Sequence, residues 1–131
     1  MKFIPVNATD HASILFELLK ERNEKINISH SEMPDFDKHI EFVEFHPYRE
    51  WNIIEVDSEI IGSIYISAFF EIGIFIFEKY QGYGYGENAV KKLIKENKYR
   101  KYFANINPEN EKSIYLFKKL GFKLIQHTYS L

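Results

Sequence analysis

The chain has 131 residues, 45% of them hydrophobic, with 12 Phe and 9 Tyr, which is enough apolar material for an ordinary core and excludes a disordered segment. A formal charge of −2 offers no bulk attraction to nucleic acid or to an anionic membrane, and the absence of cysteine excludes disulfides, zinc–thiolate sites and a cysteine nucleophile. The opening Met1-Lys2-Phe3-Ile4-Pro5-Val6 is broken by Asn7, Asp10 and His11, so no signal peptide is expected. The longest apolar run, 72–77, is far too short to span a bilayer. One cytoplasmic domain over residues 1–131, with no nucleic-acid or membrane partner and no metal, is the expectation.

In chain order, residues 2–6 read as a first strand, and Thr9 or Asp10 is placed to cap a helix whose Ile14, Leu15, Leu18 and Leu19 form one stripe. A polar loop over 27–34 leads to a second helix over 35–45. Residues 51–56 and 60–67 pair as a hairpin across Asp57-Ser58-Glu59. Residues 71–77 are the central strand, and 85–97 the helix after it, with Ala89, Val90, Leu93 and Ile94 facing inward. Residues 102–106 form the next strand. A helix over 107–120 follows, with Asn107 as N-cap and Pro108 at its first position. Ile114, Phe117 and Leu120 share one face of it, Lys118 and Lys119 sit in the last turn, and Gly121 is the stop. A strand over 122–128 closes the order β-α-α-β-β-β-α-β-α-β, an α/β alternation without repeats or linkers.

The most informative stretch joins the central strand to its helix. Gly82, Gly84 and Gly86 alternate where strand gives way to helix. Glycine lets backbone approach a ligand and take positive φ. The first turn of a helix offers unpaired N–H groups and a positive dipole end, which suit phosphate. The Lys-Ser/Thr ending of a Walker loop is missing, since Glu87 and Asn88 follow Gly86. A dinucleotide fingerprint belongs near the start of a larger doubly wound sheet, and this loop comes late in a short chain.

What remains, Gln81, Gly84 and Gly86 in the pattern Gln-x-x-Gly-x-Gly, resembles the acyl-CoA pyrophosphate loop of the GNAT superfamily of N-acetyltransferases. Downstream, Asn110, Ser113 and Leu120-Gly121-Phe122 are similar to the last helix of that superfamily. The serine, together with Glu71-Ile72-Gly73 on the earlier strand, resembles the branch containing the ribosomal-protein N-terminal acetyltransferases. The likeness is good over residues 50–128 and holds in outline before them. It implies a mixed, mostly antiparallel sheet splayed between strands 4 and 5, and acetyl-CoA as acetyl donor. It also implies that backbone around Phe75, Ile76 and Phe77 grips pantetheine and supplies an oxyanion donor. Gln81, Gly82, Tyr83, Gly84, Tyr85 and Gly86 would cradle the diphosphate, with Asn110 and Phe117 completing the CoA site.

A thioester is already activated, so the reaction needs no nucleophilic side chain. A Lys-type amine has a pKa near ~10.4, so a general base or a water chain must take its proton. Glu71, ten residues before Gln81, is the first candidate base, and His46 and His30 are alternatives. Many members of the superfamily place a tyrosine seven residues after the Asn to protonate the leaving thiolate, and here that position is Phe117. Tyr115 lies about 200° around the helix from it and cannot substitute. Ser113 lies on the Phe117 side by i+4 spacing, and the resemblance to the serine-bearing branch implies that it approaches the CoA sulfur, which makes it the candidate acid or sulfur-orienting group; its other role is a local backbone hydrogen bond.

The acceptor wall implied by the resemblance comprises 27–34 and His46-Pro47-Tyr48, giving His30, His46 and Tyr48 as substrate-binding candidates. Glu41 and Glu44 fall where helix geometry can put them in solvent, so no acidic groove for a polyamine or histone tail is expected. The first expectation is a small amine acceptor, an amino sugar or its nucleotide; a protein N-terminus is second. A non-catalytic acyl-CoA-binding module and a purely structural protein stay open as different classes. Phe69 and Phe70, if exposed, would mark a homodimer surface.

Overall fold

The computed structural model describes residues 1–25 and 33–131. Its elements run β1 (Lys2–Pro5), α1 (Ala8–Lys25), α2 (Phe36–Phe45), β2 (Glu50–Val56), β3 (Glu59–Ile66), β4 (Ile72–Ile76), a 3-10 turn (Glu78–Tyr80), α3 (Tyr85–Asn97) and α4 (Glu111–Lys119). The four strands form one antiparallel sheet in the order β1-β2-β3-β4. Asp57 and Ser58 both take positive φ, 51° and 65°, which closes the tight β2–β3 hairpin with the twist its strands need.

Side-chain alternation divides the core between the two faces of the sheet. Trp51 and Ile53 point to one face, packing with Val6, Leu15, Leu18 and Val43 under α1 and α2. Ile54, Ile61, Ile64, Ile66 and Ile72 pack with Ala89, Val90 and Leu93 of α3 and Phe117 of α4 on the other. Ile53, Ile54, Ile64 and Ile66 are fully buried, each burial stabilising the fold by roughly 1.5–3 kcal/mol.

Helix starts depart from the sequence expectation in two places. Asn7, not Thr9 or Asp10, caps α1, because its Oδ1 accepts from the Asp10 backbone N–H at 2.8 Å while its Nδ2 donates to the Asp10 carboxylate at 3.0 Å. Asn110, not Asn107, caps α4, accepting from the Ser113 N–H at 3.1 Å. Asn107 instead organises the turn before it, accepting from the Glu109 N–H at 2.9 Å. Local Asn–backbone bonds compete with helix there, which shortens the helix to the 9 residues Glu111–Lys119.

The expected strand over 102–106 is reduced to one parallel bridge between Glu71 and Phe103. Ile72 N–H donates to the Phe103 carbonyl at 2.7 Å, and Phe103 N–H to the Phe70 carbonyl at 2.9 Å. Residues 122–128 are not a strand: no sheet edge pairs with them, and Leu124 and Ile125 lie exposed. Phe69 is 77% exposed, but Phe70 is not a free surface aromatic. Its ring lies 4.4 Å beneath the Arg49 guanidinium and 5.1 Å from Tyr99. No helix among the described residues is long and apolar enough to cross a membrane.

Candidate active site

The single bridge at Phe103 leaves most of one edge of β4 open. Phe77 N–H donates to the Ile61 carbonyl of β3 at 2.9 Å, whereas Ile72 N–H donates away from β3, to Phe103. Alternation along the strand therefore turns the backbone groups of Gly73, Phe75 and Phe77 toward β3 and those of Ile74 and Ile76 toward the open edge. The oxyanion donor expected around Phe75, Ile76 and Phe77 narrows accordingly. Phe77 N–H is already engaged and Phe75 faces β3, so Ile76, and Ile74 just before it, present free-edge backbone.

A cavity of about 200 Å³ occupies this splay, between β4 and residues 105–106. Phe75, Asn110, Ser113 and Phe117 line it, as do Glu71 and Tyr48. Phe117 is 5% exposed with its ring 5.0 Å from Phe122, so the residue at the usual tyrosine position is a wall of the cavity. Tyr115 is 70% exposed, on the opposite side of α4, as its helical angle requires.

Glu71 enters the cavity with both carboxylate oxygens engaged. Ser67 Oγ donates to Oε1 at 2.9 Å, and Asn105 Nδ2 donates to Oε2. Ser67 Oγ also accepts from the Glu71 N–H at 3.1 Å, which fixes the turn that brings strand and carboxylate together. Neither Ser67 nor Asn105 carries a sequence signal: one ends a strand, the other lies in an irregular segment.

The opposite wall is aromatic and cationic. The rings of Tyr48 and Tyr65 stack 3.8 Å apart at 6°, with Phe75 6.2 Å from Tyr65. Gly73 makes room for this wall, since a Cβ there would lie 2.1 Å from the Tyr65 ring. The Arg22 guanidinium lies 4.2 Å from the Phe75 ring centroid and lines the same cavity. Burial lowers the Arg22 pKa below its ordinary value. Burial likewise pushes both tyrosines up, while the Arg22 charge pulls them down; the Glu71 charge adds to the rise at Tyr65. Sequence reading missed Arg22 and Tyr65. A signal for Arg22 was present: it stands seven residues after Leu15 and four after Leu18, continuing the buried stripe of α1 with a charge.

On the other side of the open edge lies the glycine turn. Gly82 and Gly84 take φ of 87° and 80°, with open space where a Cβ would stand. Gly84 precedes α3 with no side-chain cap, unlike Asp35 of α2 and Asn110 of α4, so no N-cap side chain accepts from the first N–H groups of α3, which like those of any helix lack an acceptor within it. Gly86 lies in the first turn, against Leu116. Tyr83 is exposed and its ring lies 5.8 Å from Tyr85. Gln81 Nε2 donates to the Ile76 carbonyl at 2.9 Å, and Lys112 Nζ donates to Gln81 Oε1 at 3.3 Å, tying the turn to β4 and to α4.

His46 ends α2 in a left-handed conformation, exposed, its ring 5.8 Å from Trp51, and is not among the cavity-lining residues. His30, with most of the expected 27–34 wall, lies outside the described residues. Glu41 and Glu44 are exposed. No group of metal-ligating side chains occurs among the described residues.

The family model described as the acetyltransferase (GNAT) domain matches residues 1–123, and the chain belongs to that family, a family of acyltransferases. Its mixed α/β architecture, with the antiparallel sheet opening beyond β4, is the GNAT fold. Among solved structures, a ribosomal-protein-alanine N-acetyltransferase from Brucella melitensis is similar at 19% identity and a TM-score of 0.75, over 94% of this chain and 85% of that one. RimL, a ribosomal L7/L12 alpha-N-protein acetyltransferase in complex with coenzyme A, is similar at 15% identity and 0.76, over 95% and 80%. The spermidine/spermine N-acetyltransferase SpeG from Vibrio cholerae is similar at 20% identity and 0.75, over 96% and 81%. No curated protein sequence matches the chain.

Proposed function

We propose that this chain is an acetyl-CoA-dependent N-acetyltransferase acting on the primary amine of a small acceptor. The observation carrying this reading is the pairing of an uncapped, glycine-led α3 with a cavity at the open edge of β4 that holds Glu71 and Ser113. The coenzyme-A-bound relative supports the donor, and the family supports the reaction.

Acetyl-CoA brings a thioester whose acyl carbon is open to attack by nitrogen. In our reading the Gly82–Gly86 turn and the first N–H groups of α3 hold the diphosphate, with Gln81, Tyr83 and Tyr85 around it. Ile74 and Ile76 N–H face the carbonyl oxygen, where negative charge develops. Glu71 takes the amine proton directly or through one water, as the C–N bond forms and the C–S bond breaks. Ser113 directs its hydroxyl toward the departing sulfur, and Asn110 holds the start of α4. Thiol groups of Cys type have a pKa near ~8.5, so departure as thiolate is tolerable without the tyrosine that Phe117 replaces.

The cavity, about 200 Å³, is small against the ~300–1,000 Å³ of drug-sized pockets. That supports a compact acceptor, an amino sugar or its nucleotide with only the amine end enclosed. The ribosomal-protein acetyltransferases among the relatives favour a protein N-terminus as the second reading. Thiol release from acetyl-CoA, measured against amines and N-terminal peptides, tests both. Turnover with small amines above the peptides is expected, and acetyl-CoA binding without turnover on any amine would point to a binding module.

A further inference from the structure

The cavity carries two charged side chains of opposite sign, and only one of them has hydrogen-bond partners among the described residues. Glu71 is held by Ser67 and Asn105. Arg22 makes no ion pair or side-chain hydrogen bond with any described residue, and its guanidinium lies over the face of Phe75. A half-buried guanidinium without a counter-charge is costly, and a cation–π contact of this kind returns only part of its hydration. Yet the surroundings fix it. Its neighbour Glu21 accepts the Glu78 backbone N–H, docking this turn of α1 onto the end of β4. Arg22, Glu71 and the stacked rings of Tyr48 and Tyr65 line the same cavity.

Resting on the acetyl-transfer reading, we propose that Arg22 is the subsite for an anionic group of the acceptor, so that the substrate is an amine that also carries a carboxylate or a phosphate. The planar guanidinium fork matches either anion with paired hydrogen bonds. The amine end of such a molecule goes to Glu71, its anionic end to Arg22, and the Tyr48–Tyr65 stack supports the body between. A polyamine, cationic at both ends, would meet repulsion at Arg22.

The test is calorimetric binding to the full-length protein, free and with CoA bound, so that no turnover is needed. The probes are two matched pairs: glucosamine 6-phosphate against glucosamine, and β-alanine against its amide. The anionic member of one pair should bind about 10- to 100-fold tighter, the range of one or two charge-assisted hydrogen bonds, and the responding pair identifies the anion. Arg22→Met should erase that margin while CoA affinity stays constant, and Arg22→Lys should retain part of it. A wild-type margin below about threefold in both pairs overturns the proposal, as does a margin that survives Arg22→Met. If Arg22→Met does not fold, Arg22→Lys decides by whether the margin shrinks. Failure of the wild-type protein to bind CoA would instead overturn the acetyl-transfer reading, independently of the amine titrations.

Discussion

The two sides of the cleft are built by opposite means. On the α3 side the surface proposed to bind CoA is backbone: Gly82 and Gly84 at positive φ, a helix without a side-chain cap, and one edge of β4. On the α1 side it is side chains, with Arg22 laid on Phe75, Tyr48 stacked on Tyr65, and Gly73 kept small beneath them. A backbone surface suits a part of the ligand that does not vary, the diphosphate and pantetheine arm. A side-chain surface can be retuned residue by residue, as an acceptor site requires. The two meet at Glu71 and Ser113, where substitutions should affect chemistry more than either binding step.

The largest effect is therefore expected at Glu71. Glu71→Gln keeps the shape but removes the proton acceptor, and kcat/KM for acetyl transfer should fall on the order of 10²-fold or more at neutral pH. Calorimetric CoA affinity should be nearly unchanged. A loss below about threefold would transfer the role to a water chain.

Ser113→Ala comes next, with turnover reduced roughly tenfold, since one positioned hydrogen bond to a charged group contributes about 1.5–3 kcal/mol. Phe117→Tyr, which restores the residue common in the superfamily, should leave the melting temperature close to wild type and raise turnover modestly at most. If Ser113→Ala were fully active while Phe117→Tyr gained a hundredfold, the chain would be better described as a weakened relative whose main task is binding.

The smallest effect concerns the α1–α2 seam beneath the proposed acceptor side. His39 is 5% exposed, packs 5.3 Å from the Phe16 ring, and leaves Nε2 without a partner. Burial holds its pKa below 6.5, opposed by a hydrogen bond with the Ala12 backbone. Because the unfolded chain binds this proton more readily, the neutral imidazole's contribution is present above the unfolded value and is lost as pH falls below about 6.5. One such group contributes at most ~1.4 kcal/mol per pH unit. Thermal unfolding of His39→Leu should accordingly show a shallower loss of stability than wild type as pH falls below about 6.5; equal slopes would remove His39 from the account.

The same contrast explains what was legible in the sequence. Positive-φ glycines, the α3 stripe and the hairpin are local, and each left a mark at fixed spacing: α3 runs over Tyr85–Asn97 as its periodicity requires. The α4 start was misjudged because Asn107 and Asn110 are both competent caps, and only the backbone bonds of the intervening turn select the second. Residues 102–106 and 122–128 carry the aromatic and β-branched residues that strands favour, yet strand formation needs a partner edge, and that is not a local property. Arg22, the Tyr65–Ser67 end of β3 and Asn105 converge from three separate segments, so their meeting was invisible along the chain. Only the interruption of the α1 stripe hinted at it.

The central claim is that the Gly82–Gly86 turn and the first turn of α3 bind the diphosphate of acetyl-CoA. It is tested most directly by titrating CoA into wild type and Gly84→Val in a calorimeter, with circular dichroism to establish that both are folded. Valine is strained at the φ of 80° that Gly84 adopts and puts a side chain into the open space before α3. The account predicts that CoA affinity falls by about tenfold or more in the variant. An unchanged affinity in a folded Gly84→Val protein would contradict it.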